Sequence, residues 1–276
     1  MKIHFFGLFL RKNWNVMDNK PLILVTNDDG YQAKGLRKLV SLMRPLGEVI
    51  VISTDKVMSA KGHSITTTPT LTATLVKSEP DYKEYVCNGT PVDCVKVGYQ
   101  WILDRLPDIV VSGINHGSNA STNVIYSGTM GAAIEACMDG IKAVGFSLDS
   151  YDLDADFDHL DDYIITITKD VLEKGLPDGV CLNVNFPIRG EEPIKGVKIC
   201  RQAKAKWIEV YSECKDERGG TCLKLGGEFV YEDHGDDTDY IALKNNYISI
   251  VPTHFDLTAT QYLDEMRRFE HIMDKK

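Results

Sequence analysis

The tightest constraint on the fold is local: the unbroken apolar run Leu22-Ile23-Leu24-Val25 ends in Thr26-Asn27-Asp28-Asp29-Gly30 and passes straight into a helical pattern. A strand that is apolar at every position is buried on both faces, the setting of a parallel sheet covered by helices. Beyond it, Leu36, Leu39, Val40, Met43 and Leu46 recur at helical spacing, Gly47 closes the pattern, and Val49-Ile50-Val51-Ile52 form a second apolar run. The chain opens with a βαβ unit. The same rhythm returns in Ile109-Val110-Val111, a small-residue helix over 128–138 and Ala143-Val144-Gly145-Phe146. A helical pattern over 157–172 then leads to Val180-Cys181-Leu182-Asn183-Val184, stopped by Pro187. Strands alternating with helices predict an α/β fold, a doubly wound, mostly parallel sheet in three αβα layers with right-handed crossovers.

From about residue 190 the character changes, with Glu191-Glu192-Pro193, the pairs Gly219-Gly220 and Gly226-Gly227, an acidic run over 232–237 and strand-like pieces such as Tyr247-Ile248-Ser249-Ile250-Val251. The expected division is an N-terminal extension over 1–20, a catalytic core over 21–190, and a β-rich arm with a terminal helix near 257–273 over 191–276. The extension is expected to be disordered or mis-started, with Met17 as a start. Its short apolar centre is interrupted by Arg11 and Lys12 and lacks a small-residue cleavage site, so it does not read as a signal peptide. No apolar run approaches the length of a membrane span. The seven cysteines, at 87, 94, 137, 181, 200, 214 and 222, show no C-x-x-C spacing and read as reduced thiols of a cytoplasmic protein.

The formal charge of −9 argues against a nucleic-acid duplex as partner, because such surfaces cluster Lys and Arg. A small anion would need local positive charge, from a divalent cation or from free N–H groups at a helix start. Both are foreshadowed. Asp28 and Asp29 stand where open α/β sheets bind ligands, beyond the carboxyl end of a strand, and hard oxygen donors suit magnesium or manganese. Asn27-Asp28-Asp29-Gly30 has the composition of a simple turn, but a helix follows rather than a hairpin strand, leaving two like charges that a cation would relieve. The cluster Ser112-Gly113-Ile114-Asn115-His116-Gly117-Ser118-Asn119 follows another strand and emerges on the same edge. Tyr126-Ser127-Gly128-Thr129 then opens a helix whose first N–H groups suit a phosphate, Ser127 also serving as N-cap. Thr90, Pro91 and Asp93 have the spacing of a capping box, which ranks ahead of catalysis for Asp93. Ser59-Ala60-Lys61-Gly62-His63-Ser64 is a candidate mobile loop, and His63 a candidate acid.

Together, Ile23 to Gly30, Ser59 to Thr66, Gly89-Thr90-Pro91-Val92-Asp93-Cys94-Val95, Val111 to Asn119 and Tyr126 to Thr129 resemble the SurE survival proteins, stationary-phase 5'-nucleotidases. Asn183-Val184-Asn185-Phe186-Pro187 and Asp237-Thr238-Asp239-Tyr240 fit as well. The resemblance covers about residues 21–270, and the ordered set is far more specific than any single motif. It implies a Rossmann-like core and an arm exchanged in a homodimer or homotetramer. It also implies one divalent cation, magnesium or manganese, held by Asp28, Asp29, Ser59 and Asn115, with Asn119, Ser127, Gly128 and Thr129 at the phosphate. The implied reaction is hydrolysis of nucleoside 5'-monophosphates, in some relatives of polyphosphate also, with Asp28 and Asp29 catalytic. Direct attack by Asp28 and attack by water both place a carboxylate at this position. The rival readings are a haloacid-dehalogenase-type phosphatase, whose motif needs D-x-D rather than adjacent acids, and a non-catalytic nucleotide-binding sensor.

Overall fold

Alternating burial of β1 (Leu22–Thr26) sets the layers: Ile23 and Val25 join the apolar cluster on one face of the sheet, Leu22 and Leu24 that on the other. The computed structural model describes residues 20–68, 70–233 and 235–270, so the expected extension, apart from Lys20, lies outside the described residues. After β1 come α1 (Lys34–Met43), β2 (Glu48–Thr54), β3 (Ala73–Glu79), β4 (Tyr82–Cys87), α2 (Pro91–Val97) and β5 (Ile109–His116). The chain continues through α3 (Asn123–Tyr126), α4 (Gly128–Met138), β6 (Ala143–Leu148), α5 (Asp161–Lys174), β7 (Val180–Phe186) and β8 (Val197–Ile199). It ends with β9 (Ala205–Lys215), β10 (Thr221–Tyr231), α6 (Asp239–Lys244), β11 (Ile248–His254) and α7 (Leu263–Met266).

The main sheet has nine strands in the order β3-β4-β2-β1-β5-β6-β7-β11-β8. The six from β4 to β7 are mutually parallel, whereas β3 and β11 pair antiparallel. Leu36, Leu39 and Met43 of α1 pack with Ile164 and Val171 of α5 on one face. Met130, Ala132, Ala133 and Ala136 of α4 pack with Val95 of α2 on the other. Each fully buried Leu, Ile or Val stabilises the fold by about 1.5–3 kcal/mol. The doubly wound α/β expectation holds. After β1 the chain crosses to β2 on one side, and after β5 to β6 on the other, so the gap between β1 and β5 is the topological switch point where such sheets bind ligands.

Four features differ from the sequence reading. The polar cluster expected to follow the strand begins within it: β5 continues to His116, with irregular register against β6 between Ser112 and Asn115. Gly113, at φ 127°, allows this: a Cβ there would lie 2.3 Å from the Phe146 carbonyl oxygen. Residues 191–276 do not all form an arm. β8 and β11 return to the main sheet, and β9 with β10 stands apart as a two-stranded ribbon. Cys214 and Cys222, expected as reduced thiols, form a disulfide because the ribbon's register sets them opposite each other, while the other five cysteines are free, as expected, and buried. The terminal helical segment is broken, over its described residues 260–270, into α7 flanked by 3-10 turns; these residues are exposed, and short helices without a buried face are weak, while 271–273 lie outside the described residues.

Candidate active site

β1 delivers Asn27, Asp28 and Asp29 to the switch point. Asn27 serves the turn: its amide donates to the Gly30 carbonyl at 2.9 Å and its oxygen accepts from the Ser53 hydroxyl at 2.6 Å. Asp28 is 4% exposed, and the Thr129 hydroxyl donates to its Oδ1 at 2.6 Å. Burial first, and the charge of Asp29 second, push the Asp28 carboxyl up to about 6, against the hydrogen bond from Thr129. Asp29 turns toward the end of β5, where the backbone N–H and ring Nδ1 of His116 both lie 3.3 Å from its Oδ2.

Asp28, Ser59, Asn115, Asn119 and Ser127 line one cavity of about 660 Å³. Asp29, Gly128 and Thr129 are not among its lining residues but adjoin them: Thr129 bonds Asp28, a Cβ on Gly128 would lie 2.9 Å from Asp28 Oδ2, and Asp29 touches His116, which lines the cavity. The Asn115 amide donates to the Gly117 carbonyl at 2.7 Å, which leaves its side-chain oxygen as an acceptor. Ser127 caps α4, accepting from the Met130 N–H at 2.9 Å, so the cavity wall includes a helix start with its positive end. Backbone also ties the loop carrying Ser59 to the acids, since the Met58 N–H donates to the Asp28 carbonyl at 2.7 Å.

Several supporting residues escaped sequence reasoning. His116 was visible only as a member of a polar cluster; its contact with Asp29 depends on β1–β5 pairing, and its Nε2 is buried without a hydrogen-bond partner. Asn119 is held from β6 and β7: its amide donates to the Ser147 hydroxyl at 2.7 Å, its N–H to Asn185 Oδ1 at 2.7 Å, and its carbonyl accepts from Asn183 at 2.9 Å. Asp239, 1% exposed, accepts backbone N–H groups from Ser121 at 2.7 Å and Ala203 at 3.0 Å, anchoring the loop beyond Asn119. Asp93 makes the capping box with Thr90 and also accepts the Thr66 N–H. His63 does not line the cavity: its Nε2 pairs with Glu135 at 2.7 Å, fastening the 59–66 loop to α4.

The chain is similar over about nine tenths of its length to proteins of one kind. The family described as Survival protein SurE matches residues 23–209. The chain belongs to the SurE family. A protein of Flavobacterium psychrophilum named 5'-nucleotidase SurE is 53% identical over 91% of this chain and 98% of its own length. One of the same name from Christiangramia forsetii is 53% identical over 90% and 96%. The crystal structure of the SurE protein from Aquifex aeolicus aligns with TM-score 0.76 at 35% identity, covering 91% of this chain and 100% of that one.

The donors around Asp28 are carboxylate, hydroxyl and amide oxygens, and no Lys or Arg lines the cavity among the described residues. Two neighbouring acids, one of them buried, faced in the cavity by one imidazole, His116 against Asp29, and by no Lys or Arg, with hydroxyl and amide oxygens around them, fit a hard divalent cation.

Proposed function

We propose that this chain is a metal-dependent phosphomonoesterase, a 5'-nucleotidase that hydrolyses nucleoside 5'-monophosphates to nucleoside and phosphate. The site observation that carries the reading is the meeting of buried Asp28 with the capped start of α4 in one cavity, a cation-seeking group beside an anion-seeking one. Names carried by relatives at 53% identity over almost their full length supply the reaction class.

In this reading Asp28, Asp29, Ser59 and Asn115 hold one magnesium or manganese ion per subunit. When bound, that ion offsets phosphoryl charge and acidifies water. Asn119, Ser127 and the N–H of Gly128 orient the phosphate oxygens, while the N–H and hydroxyl of Thr129 serve Asp28. Thr129 fixes the rotamer of Asp28, and His116 that of Asp29. A water oxygen bonds to phosphorus, the P–O bond to the 5'-oxygen breaks in line, and the proton given up by the water ends on the 5'-oxygen, so the nucleoside leaves as its 5'-hydroxyl.

The ribbon of β9 and β10 exposes Ile208, Val210, Tyr211, Leu223 and Leu225, which supports its role as the arm of a homodimer or homotetramer. No helix among the described residues is long and apolar enough to cross a membrane; the five free buried thiols favour the cytoplasm, whereas the Cys214–Cys222 disulfide is of a kind that is rare there.

The test is phosphate release from AMP and GMP with magnesium or manganese. Release by the wild type, abolished in Asp29→Asn with far-UV circular dichroism intact, is the expected result. No release by the wild type with any divalent cation would leave a binding module in its place.

A further inference from the structure

The cavity that holds Asp28 and Ser127 has a second wall of different chemistry. Tyr126, Tyr151 and Trp207 line it too, and they are 55%, 69% and 39% exposed. Single exposed aromatics are ordinary on a protein surface. Three drawn from separate segments into one cavity, beside a helix start, are not explained by the hydrolytic groups.

The wall is built rather than incidental. Trp207 is fixed at both ends: its indole N–H donates to Asn123 Oδ1 at 2.9 Å, and its ring meets Phe229 edge-on at 5.5 Å. Phe229 packs on Tyr240 at 5.6 Å, which ties the ribbon to α6. Asn123 also donates to the Ser118 carbonyl at 3.2 Å, so the indole is coupled to the segment carrying Asn119. Tyr151 lies against Gly117, where an added Cβ would come within 2.5 Å of its ring; only a glycine lets the ring settle on that segment. Tyr126 immediately precedes Ser127. Across the ribbon, Gly226 and Gly227 stand opposite Val210 and Glu209 and also line the cavity, leaving bare backbone where side chains would fill the space.

We infer that Trp207, Tyr151 and Tyr126 form the subsite for the nucleobase, with the ribbon of the same chain supplying the indole face. The inference rests on the nucleotidase reading for its substrate and adds what holds the base. A cavity of about 660 Å³ is within the usual range for small-molecule sites of roughly 300–1,000 Å³. Stacking on π-faces is tolerant of base identity, because every base offers one, and favours the larger purine rings. The site therefore accepts several bases, prefers purine to pyrimidine, and handles a base-free sugar phosphate poorly.

The test separates base recognition from hydrolysis. Binding of adenosine, which has no phosphate, is titrated by calorimetry against wild type, Trp207→Ala, Trp207→Phe and Tyr151→Ala, with ribose as control. The expected result is saturable adenosine binding, no ribose binding, a loss of about 5- to 150-fold in affinity in each alanine variant, and recovery in Trp207→Phe. Tyr151→Ala guards against the ribbon simply detaching when Trp207 is removed. Adenosine binding no tighter than ribose binding, or unchanged in both alanine variants, overturns the inference. In parallel, the ratio of kcat/KM for AMP to that for ribose 5-phosphate is expected well above one in the wild type and reduced in both alanine variants, mainly through KM; a ratio near one in the wild type also overturns it. Adenosine bound through these residues, with no phosphate released from AMP, would sink the hydrolase reading and leave the base subsite standing.

Discussion

Gly128→Ala is the sharpest perturbation of the proposed machinery, because it adds one methyl group where space, not chemistry, is limiting. The new Cβ would lie 2.9 Å from both Cβ and Oδ2 of Asp28 and 3.2 Å from Cγ. Asp28 cannot step aside cheaply: it is 4% exposed and fastened by Thr129 at 2.6 Å. Overpacking of this kind costs about 1–3 kcal/mol. Gly128 is also the first residue of α4, where alanine gains up to about 1 kcal/mol in helix propensity. The net loss of stability is therefore about 0–3 kcal/mol, a modest fall in Tm. Activity is predicted to fall far more, because displacing a catalytic carboxylate by a substantial fraction of an ångström costs on the order of tenfold to a hundredfold. Thermal unfolding and kcat/KM for AMP at saturating divalent cation measure the two effects side by side. Wild-type kcat/KM in a folded Gly128→Ala variant would refute the placement of Asp28 against the helix start.

Two further predictions concern the supports. Glu135 is held by His63 at 2.7 Å and Lys96 at 2.5 Å, and these partners, the His63 hydrogen bond foremost, hold its carboxyl below the usual range despite burial. A carboxyl depressed in the folded state contributes stability above its unfolded pKa of about 4.3 and loses that contribution as pH falls through the lower folded value. Glu135→Gln is accordingly expected to cost about 1–3 kcal/mol at pH 7, with the gap to wild type narrowing below about pH 4 in denaturant titrations; a gap independent of pH would contradict the ion-pair account. Asp239→Ala strips acceptors from the N–H groups of Ser121 and Ala203 and is expected to destabilise by about 2–5 kcal/mol; a loss under about 0.5 kcal/mol in denaturant titration would show that the anchor is dispensable.

What could be read in advance follows a physical pattern. β1 and the acids after it were legible because a strand buried on both faces leaves an unbroken apolar run, and its end is marked by the first polar residues. α4 was legible from its cap and small residues, since Ala132, Ala133 and Ala136 must approach the sheet closely. The end of β5 is not legible as strand because Ser, Gly and Asn have loop composition; the strand continues there with Gly113 fitted against Phe146. The β3–β4 hairpin at the sheet edge passed unnoticed, its outer strand being exposed over most of its length and without an apolar run. In the site, Asp28 and Ser127 were readable from local motifs. The contacts of His116 with Asp29, 87 residues away, and of Asp239 with Ser121, 118 residues away, exist only once strand order is known. The Cys214–Cys222 link likewise depends on ribbon register, which eight residues of separation do not specify.

Manganese titration followed by electron paramagnetic resonance tests the central claim directly, without reference to turnover. Wild-type protein is predicted to show one saturable site per chain, absent in Asp28→Asn and in Asp29→Asn while far-UV circular dichroism is unchanged. Equal saturable binding in the wild type and both variants, or none in the wild type, would contradict a cation docked on these two acids.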